Sequence, residues 1–296
     1  MTPQRSLGRT LHGLPPGLRS LLPPGIRQSI RQRIGPFAPW EQGFSSAAPA
    51  PATGETTGPP DFVGIGVQKA GTSWWYELLC AHPAVHHAAT AHKERHFFAR
   101  FAFDEFGPQE PGQYHAWFPR PPGAVTGEWT PDYIHQPWAA PLLQASAPSA
   151  RLLLMVRDPV ERFVSGVAHE APGPGSNLGA VLADALHRGF YAAALHSWVP
   201  RFAPDQLLVL QYERCVADPR GELERTWKFL GLDASLAATL PAARLVEPVS
   251  PTRATKRALS DDARRRLREL YAGDVAELLG QFPAIDRSLW PNFAGP

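Results

Sequence analysis

A lysine lies inside a glycine-bounded turn, Gly66-Val67-Gln68-Lys69-Ala70-Gly71-Thr72-Ser73, and that placement sets the chemistry to consider first. The turn joins the apolar run Phe62-Val63-Gly64-Ile65-Gly66-Val67 to a stretch of helical character from Trp74 to Ala81. A strand, a glycine loop and a helix start in that order offer backbone N–H groups to an anion, with the helix dipole behind them. The octapeptide nearly fits G-x-x-x-x-G-K-[ST], the loop that grips nucleoside triphosphates, but Thr72 stands where that loop needs its lysine. From position 69 an ammonium can instead approach the oxygen bridging a bound phosphate and a group being transferred from it. Negative charge builds on that oxygen as the bond breaks, so the loop reads as a device for group transfer from a single 5′-phosphate, with Lys69 stabilising the leaving oxygen. A small-molecule kinase, with Ser73 holding Mg²⁺, is the alternative enzyme. A domain that binds such a 5′-phosphate nucleotide without catalysis is the alternative from another class.

Longer comparison of the motifs narrows these readings. Lys69-Ala70-Gly71-Thr72-Ser73-Trp74 resembles K-x-G-T-[TS]-W, the 5′-phosphosulfate loop of the sulfotransferases that use 3′-phosphoadenosine 5′-phosphosulfate (PAPS). Arg157-Asp158-Pro159, with Ser165 further along, resembles the second signature of that superfamily. The resemblance implies that Arg157 and Ser165 bind the 3′-phosphate, and an arginine fork with a nearby hydroxyl suits a phosphate. His92-Lys93-Glu94-Arg95-His96-Phe97-Phe98 resembles the K-E-x-H-F-F element of the glycosaminoglycan sulfotransferases, which implies Glu94 as the catalytic base. His92 is the alternative base, by likeness to the phenol and steroid branch, and Lys93 and His96 are expected to line the same site. Gly127-Glu128-Trp129-Thr130-Pro131-Asp132-Tyr133 resembles E-K-[ST]-P-x-Y, with Trp129 in place of the lysine. That change points to a flatter or more apolar acceptor, and places Lys93, Trp129, Asp132 and Tyr133 among the expected acceptor contacts. With Trp117 and Trp138 they suggest an aromatic-lined cleft.

The superfamily's strand, Tyr-Glu and F-L-G block is matched by Leu207–Glu213, Asp218-Pro219 and Phe229-Leu230-Gly231-Leu232. Tyr212 and Trp74 are the candidates to face the adenine. The R-K-G loop that closes the 3′-phosphate in the cytosolic branch has no counterpart, and Arg253, Lys256 or Arg257 are the candidates to stand in for it. The resemblance covers roughly residues 60–293 and implies an in-line transfer to a hydroxyl of a small-molecule or carbohydrate acceptor, with PAPS as co-substrate and no metal.

The elements that must position these residues follow from periodicity. Arg151–Val156 and Gln206–Gln211 read as two further buried strands; residues 178–199, 219–230 and 260–280 read as helices. Alternating strands and helices predict an α/β, P-loop-like three-layer domain with a central parallel sheet flanked by helices, over residues 61–296. Residues 1–60 differ. Six arginines, short leucine and isoleucine clusters and the pairs Pro15-Pro16 and Pro23-Pro24 suggest a basic arm, ending in an Ala/Pro/Thr/Gly linker. Such an arm could touch a membrane surface peripherally.

A net charge of +2 gives no global field for nucleic acid. Two cysteines, Cys80 and Cys215, make no disulfide framework and read as buried thiols. The chain has no long apolar run and no signal-like start, so a cytoplasmic location is expected. The histidines at 82, 86, 87, 92 and 96 invite a metal, but lack cysteine partners or an H-E-x-x-H pattern. Only four lysines occur, at 69, 93, 228 and 256; two of them fall in the motifs above.

Overall fold

The computed structural model describes residues 48–87, 93–102, 104–170, 177–247, 249 and 258–295. The expected N-terminal arm therefore lies outside the described residues up to position 47. Within the expected linker, Thr56 exchanges two backbone hydrogen bonds of 3.0 Å with Arg120, which ties its later part to the domain.

The described residues form a four-stranded, all-parallel sheet, ordered β2 (Gly127–Trp129), β1 (Phe62–Gly66), β3 (Arg151–Val156) and β4 (Leu207–Gln211). β1 is buried along its whole length and β3 everywhere but Arg151, as expected of parallel strands covered on both faces. The registers pair Phe62 with Gly127 and Arg151, and Leu152 with Leu207. β2 has only three residues, one of them Glu128, so it carries no alternation for the eye to find. It joins the sheet because Gly64 of β1 leaves room for the Trp129 indole, where a Cβ would stand 2.0 Å from Trp129 Cγ.

Helices flank the sheet in two groups. α1 (Thr72–Leu79) packs on α8 (Pro219–Phe229), which also meets α9 (Ala242–Val246). The second group is α4 (Pro159–Glu170), α5 (Leu178–His187), α6 (Tyr191–Leu195) and the long α10 (Asp261–Gln281). Three more helices, α2 (Glu110–His115), α3 (Ala139–Ser146) and α7 (Tyr212–Ala217), complete the connections. Caps mark the ends: Asp218 accepts from Gly221 N at 3.0 Å to start α8, and Ser260 accepts from Ala263 N at 3.2 Å to start α10.

The single helix expected over 178–199 is two. Gly189 sits at the break with Tyr271 of α10 pressed against it, a Cβ there falling 2.6 Å from the phenol ring. Cys215 is buried, whereas Cys80 is only partly so. Among the described residues no helix is long and apolar enough to cross a membrane.

Candidate active site

The site is built where β1 and β3 end. Lys69 adopts φ 69° and Gly71 φ 90°, so the loop turns through two left-handed residues before α1 begins at Thr72. Val67 N donates to Met155 O at 3.0 Å, fastening the loop to β3. Tyr212, the first residue after β4, lies against Gly71, where a Cβ would come 2.8 Å from its ring. Replacing Gly71 by alanine combines left-handed strain with that collision. It is expected to cost about 1–3 kcal/mol, read as a lowered midpoint in a urea titration.

Arg157 follows β3 and crosses to the loop. One guanidinium nitrogen, Nη1, donates to Lys69 O at 3.2 Å, and its Cζ lies 4.6 Å from the centre of the Tyr212 ring. Its Nε is buried and has no hydrogen-bond partner among the described residues. The neighbouring Asp158 caps α4 by accepting from Val160 N at 2.9 Å, while its second oxygen takes two 3.0 Å bonds from Asn292. Glu213 accepts from Asp158 N at 2.9 Å and from Trp290 Nε1 at 2.9 Å. Burial foremost, against these hydrogen bonds, holds the Glu213 carboxyl above its ordinary range. Asp158, and with it the chain at Arg157, is thus braced from α7 and from the C-terminal segment. Further along α4, Ser165 is buried, and His169 one turn beyond brings Nδ1 to 3.3 Å from Lys69 Nζ. No motif announces His169; its signal is the four-residue step from Ser165, which puts both on one helix face.

Opposite the loop lie Lys93, Glu94 and His96. Lys93 Nζ donates to Thr72 Oγ1 at 3.1 Å and pairs with Glu94 Oε1 at 2.9 Å. Glu94 Oε2 meets His96 Nε2 at 3.2 Å. The backbone beneath them is held by side chains from 128–133. Arg95 N donates to Glu128 Oε2 at 3.0 Å and Thr130 Oγ1 at 2.9 Å, His96 N to Thr130 Oγ1 at 3.2 Å, and Phe97 N to Tyr133 OH at 2.8 Å. Glu128, wholly buried, also accepts from Thr130 Oγ1 at 2.5 Å, Tyr114 OH at 2.7 Å and Tyr133 OH at 3.1 Å. Burial raises the Glu128 carboxyl despite those bonds. Burial would raise Glu94 too, but the His96 hydrogen bond and the Lys93 charge outweigh it and hold Glu94 at about 2. Burial lowers Lys93, against the opposing pull of Glu94.

Two of the four rings expected to line an aromatic cleft are withdrawn from it. Trp129 is fully buried, its Nε1 donating to Gly66 O at 3.0 Å, so the residue that replaces the lysine faces the sheet and not an acceptor. Tyr133 is also fully buried, with its hydroxyl committed to Glu128 and Phe97. Trp138 Nε1 donates to Phe98 O at 3.0 Å, and Trp117 lies under the Arg95 guanidinium at 5.3 Å. With Trp129 and Tyr133 buried, the polar side chains Lys93, Glu94 and His96 face the loop, and Asp132 stands behind His96. Trp74 donates from Nε1 to Leu245 O at 2.9 Å and stands edge-on to Tyr212, so both adenine candidates lie beside Gly71. His92, Arg253, Lys256 and Arg257 lie outside the described residues. His82 stands edge-on to Trp227 at 4.9 Å and His86 pairs with Glu55 at 3.0 Å. Among the described residues no group of three or more His, Cys, Asp or Glu converges as metal ligands do.

A family model described as sulfotransferase domain matches residues 59–250. Mouse heparan sulfate glucosamine 3-O-sulfotransferase 3B1 is 34% identical over 195 residues, 58% of this chain and 46% of that protein. Its human counterpart is 32% identical over 243 residues, 74% of this chain and 60% of that protein. The chain therefore spans about half the length of the curated relatives it matches. In fold it is similar to a sulfotransferase from Alicyclobacillus acidocaldarius, with TM-score 0.60, 23% identity, and coverage of 78% of this chain and 98% of that one. With the loop, the arginine signature and the parallel sheet all inside the matched region, the chain belongs to the sulfotransferase domain family.

Proposed function

We propose that this chain transfers a sulfuryl group from PAPS to a hydroxyl of a carbohydrate acceptor, of the glucosamine-containing class named for its relatives. The observation that carries the reading is the contact of Lys93 Nζ with Thr72 Oγ1 at 3.1 Å, because it brings the Glu94 carboxylate up to the mouth of the 69–74 loop. PAPS supplies an activated sulfuryl group on a 5′-phosphate and a second phosphate at the 3′ position. The residues fit it: the loop is shaped for an anion, and the buried Arg157 Nε lacks a partner that a 3′-phosphate oxygen would provide.

In this scheme the loop N–H groups and Lys69 bind the 5′ end, and Arg157 with Ser165 binds the 3′-phosphate. His169, 3.3 Å from Lys69, helps hold that ammonium toward the bridging oxygen. Glu94 takes the acceptor hydroxyl's proton as the acceptor oxygen bonds to sulfur in line, the bond from sulfur to the bridging oxygen breaks, and 3′-phosphoadenosine 5′-phosphate leaves with that oxygen. A carboxylate held at about 2 is a weak base while Lys93 grips it. Negative charge arriving in the loop competes for the same ammonium, which already touches the loop helix, and so returns basicity to Glu94 when donor is bound.

Calorimetric titration with 3′-phosphoadenosine 5′-phosphate, AMP and ATP–Mg²⁺, followed by transfer assays with PAPS and glucosamine-containing oligosaccharides, tests the reading. Tight binding that needs the 3′-phosphate and ignores Mg²⁺ is expected. Preference for ATP–Mg²⁺ would overturn it in favour of a kinase; binding without transfer to any hydroxyl would leave a nucleotide-binding protein. Arg157→Ala is expected to weaken the bisphosphate by about one to two decades while leaving AMP nearly unchanged, the span of a charged hydrogen bond lost.

A further inference from the structure

Behind Glu94 and His96 runs a line of charges that leaves the motifs at Asp132 and continues onto α5. His96 is held at φ 50° by Thr130 and its neighbours, so its ring has a fixed place, with Nε2 turned to Glu94. The other ring nitrogen, Nδ1, faces Asp132 Oδ2 at 3.9 Å, within ion-pair reach but too far for a hydrogen bond. Asp132 is kept at that distance from its far side. Its Oδ1 accepts from Arg188 Nη1, and Arg188 Nε is in turn fixed by Asp184 Oδ2 at 2.8 Å. Arg188 caps the C-terminal end of α5, so two carboxylates and a helix end locate one guanidinium whose side chain is only 15% exposed.

Resting on the transfer scheme above for its purpose, though not for its test, the geometry points to Asp132 and Arg188 as positioning residues. Asp132 adds to Glu94 in favouring the charge on His96, and Arg188 anchors Asp132 and tempers its field. The charged groups around His96 are Glu94 and Lys93 on its own segment, Glu128 on β2, Asp132 after it, and Arg188 beyond Asp132. A free aspartate at Nδ1 would lock the ring as imidazolium and tie Glu94 down. Without the aspartate, Glu94 and Glu128 alone would favour the charged ring against burial, and the hold on Glu94 would weaken toward that of Lys93. An aspartate shared with a permanent cation gives an intermediate hold, in which His96 orients Glu94 and can release it. Burial works against His96 charging, and the surrounding carboxylates outweigh it, so the ring titrates above its ordinary value.

The two residues act in opposite senses, which a purely structural role would not produce. The test is an NMR titration of the His96 imidazole in the unliganded, full-length protein, its signal assigned by its loss in His96→Gln. Asp132→Asn is expected to lower the titration midpoint by about one unit, and Arg188→Met to raise it by a similar amount; Arg188→Lys, which keeps the cation, is expected to stay near wild type. Midpoints that do not move, or that move the same way in Asp132→Asn and Arg188→Met, overturn the inference. Because no nucleotide or acceptor is present, the result stands whether or not the protein proves to transfer a sulfuryl group.

Discussion

Lys69→Ala is expected to lower kcat by about 10²- to 10³-fold, with a much smaller effect on binding of 3′-phosphoadenosine 5′-phosphate. The side chain reaches the mouth of the loop with Nζ 3.3 Å from His169, in the region where a leaving oxygen would gain charge. In the proposed scheme the nucleotide's remaining contacts are backbone N–H groups, Arg157 and Ser165, and the Arg157 bond to the residue 69 carbonyl survives the substitution. Single-turnover rates with PAPS, compared with calorimetric affinity for the bisphosphate, separate the two effects. Near-wild-type turnover would remove Lys69 from the chemistry and leave it as a ligand for ground-state charge. His169→Ala is expected to lose less, because it acts through the lysine.

How far such a site can be read from sequence depends on whether its parts are neighbours along the chain. The 66–74 loop is contiguous, and its two left-handed residues fall at Lys69 and Gly71 of one short motif. Arg157 is legible because a strand of five buried residues ends just before it, so its place at the sheet's carboxyl end follows from the fold. Lys93, Glu94 and His96 likewise fall within four residues of one motif, and the structure brings Lys93 to Thr72. The acceptor side differs. Whether Trp129 points into the sheet or out of it depends on one glycine in another strand, Gly64, and nothing local to 127–133 records that. Tyr133 looks like a ligand contact until the buried carboxylate of Glu128 is found taking its hydroxyl. His169 and Arg188 reach the site by the packing of α4 and α5, and only the folded chain puts Arg188 next to Asp132, 56 positions away.

Glu94→Gln is expected to reduce kcat by about 10²- to 10⁴-fold, the usual span for a positioned proton acceptor, while nucleotide affinity holds. Glutamine preserves size and can still accept from Lys93 through its carbonyl oxygen while its amide N–H faces His96 Nε2, so a loss of this order would report basicity and not shape. The pH dependence sharpens the expectation. The Glu94 carboxyl is pushed up by burial, but the His96 hydrogen bond and the Lys93 charge bring it down to about 2, against an ordinary 4.5. A folded value below the unfolded one means that ionised Glu94 stabilises the fold above the ordinary range, and that this support is lost only as pH falls toward 2. For the free enzyme, kcat/KM should therefore show no carboxylate limb between pH 4 and 6. Lys93→Met removes the ammonium and leaves burial less opposed, so a limb from Glu94 should then enter that window. A wild-type limb already present there, unchanged by Lys93→Met and absent from Glu94→Gln only because activity is gone, would assign the essential proton to another group. Glu94 accepts both Lys93 and His96, each bound to a different wall of the site, so its readiness as a base reports what those walls hold.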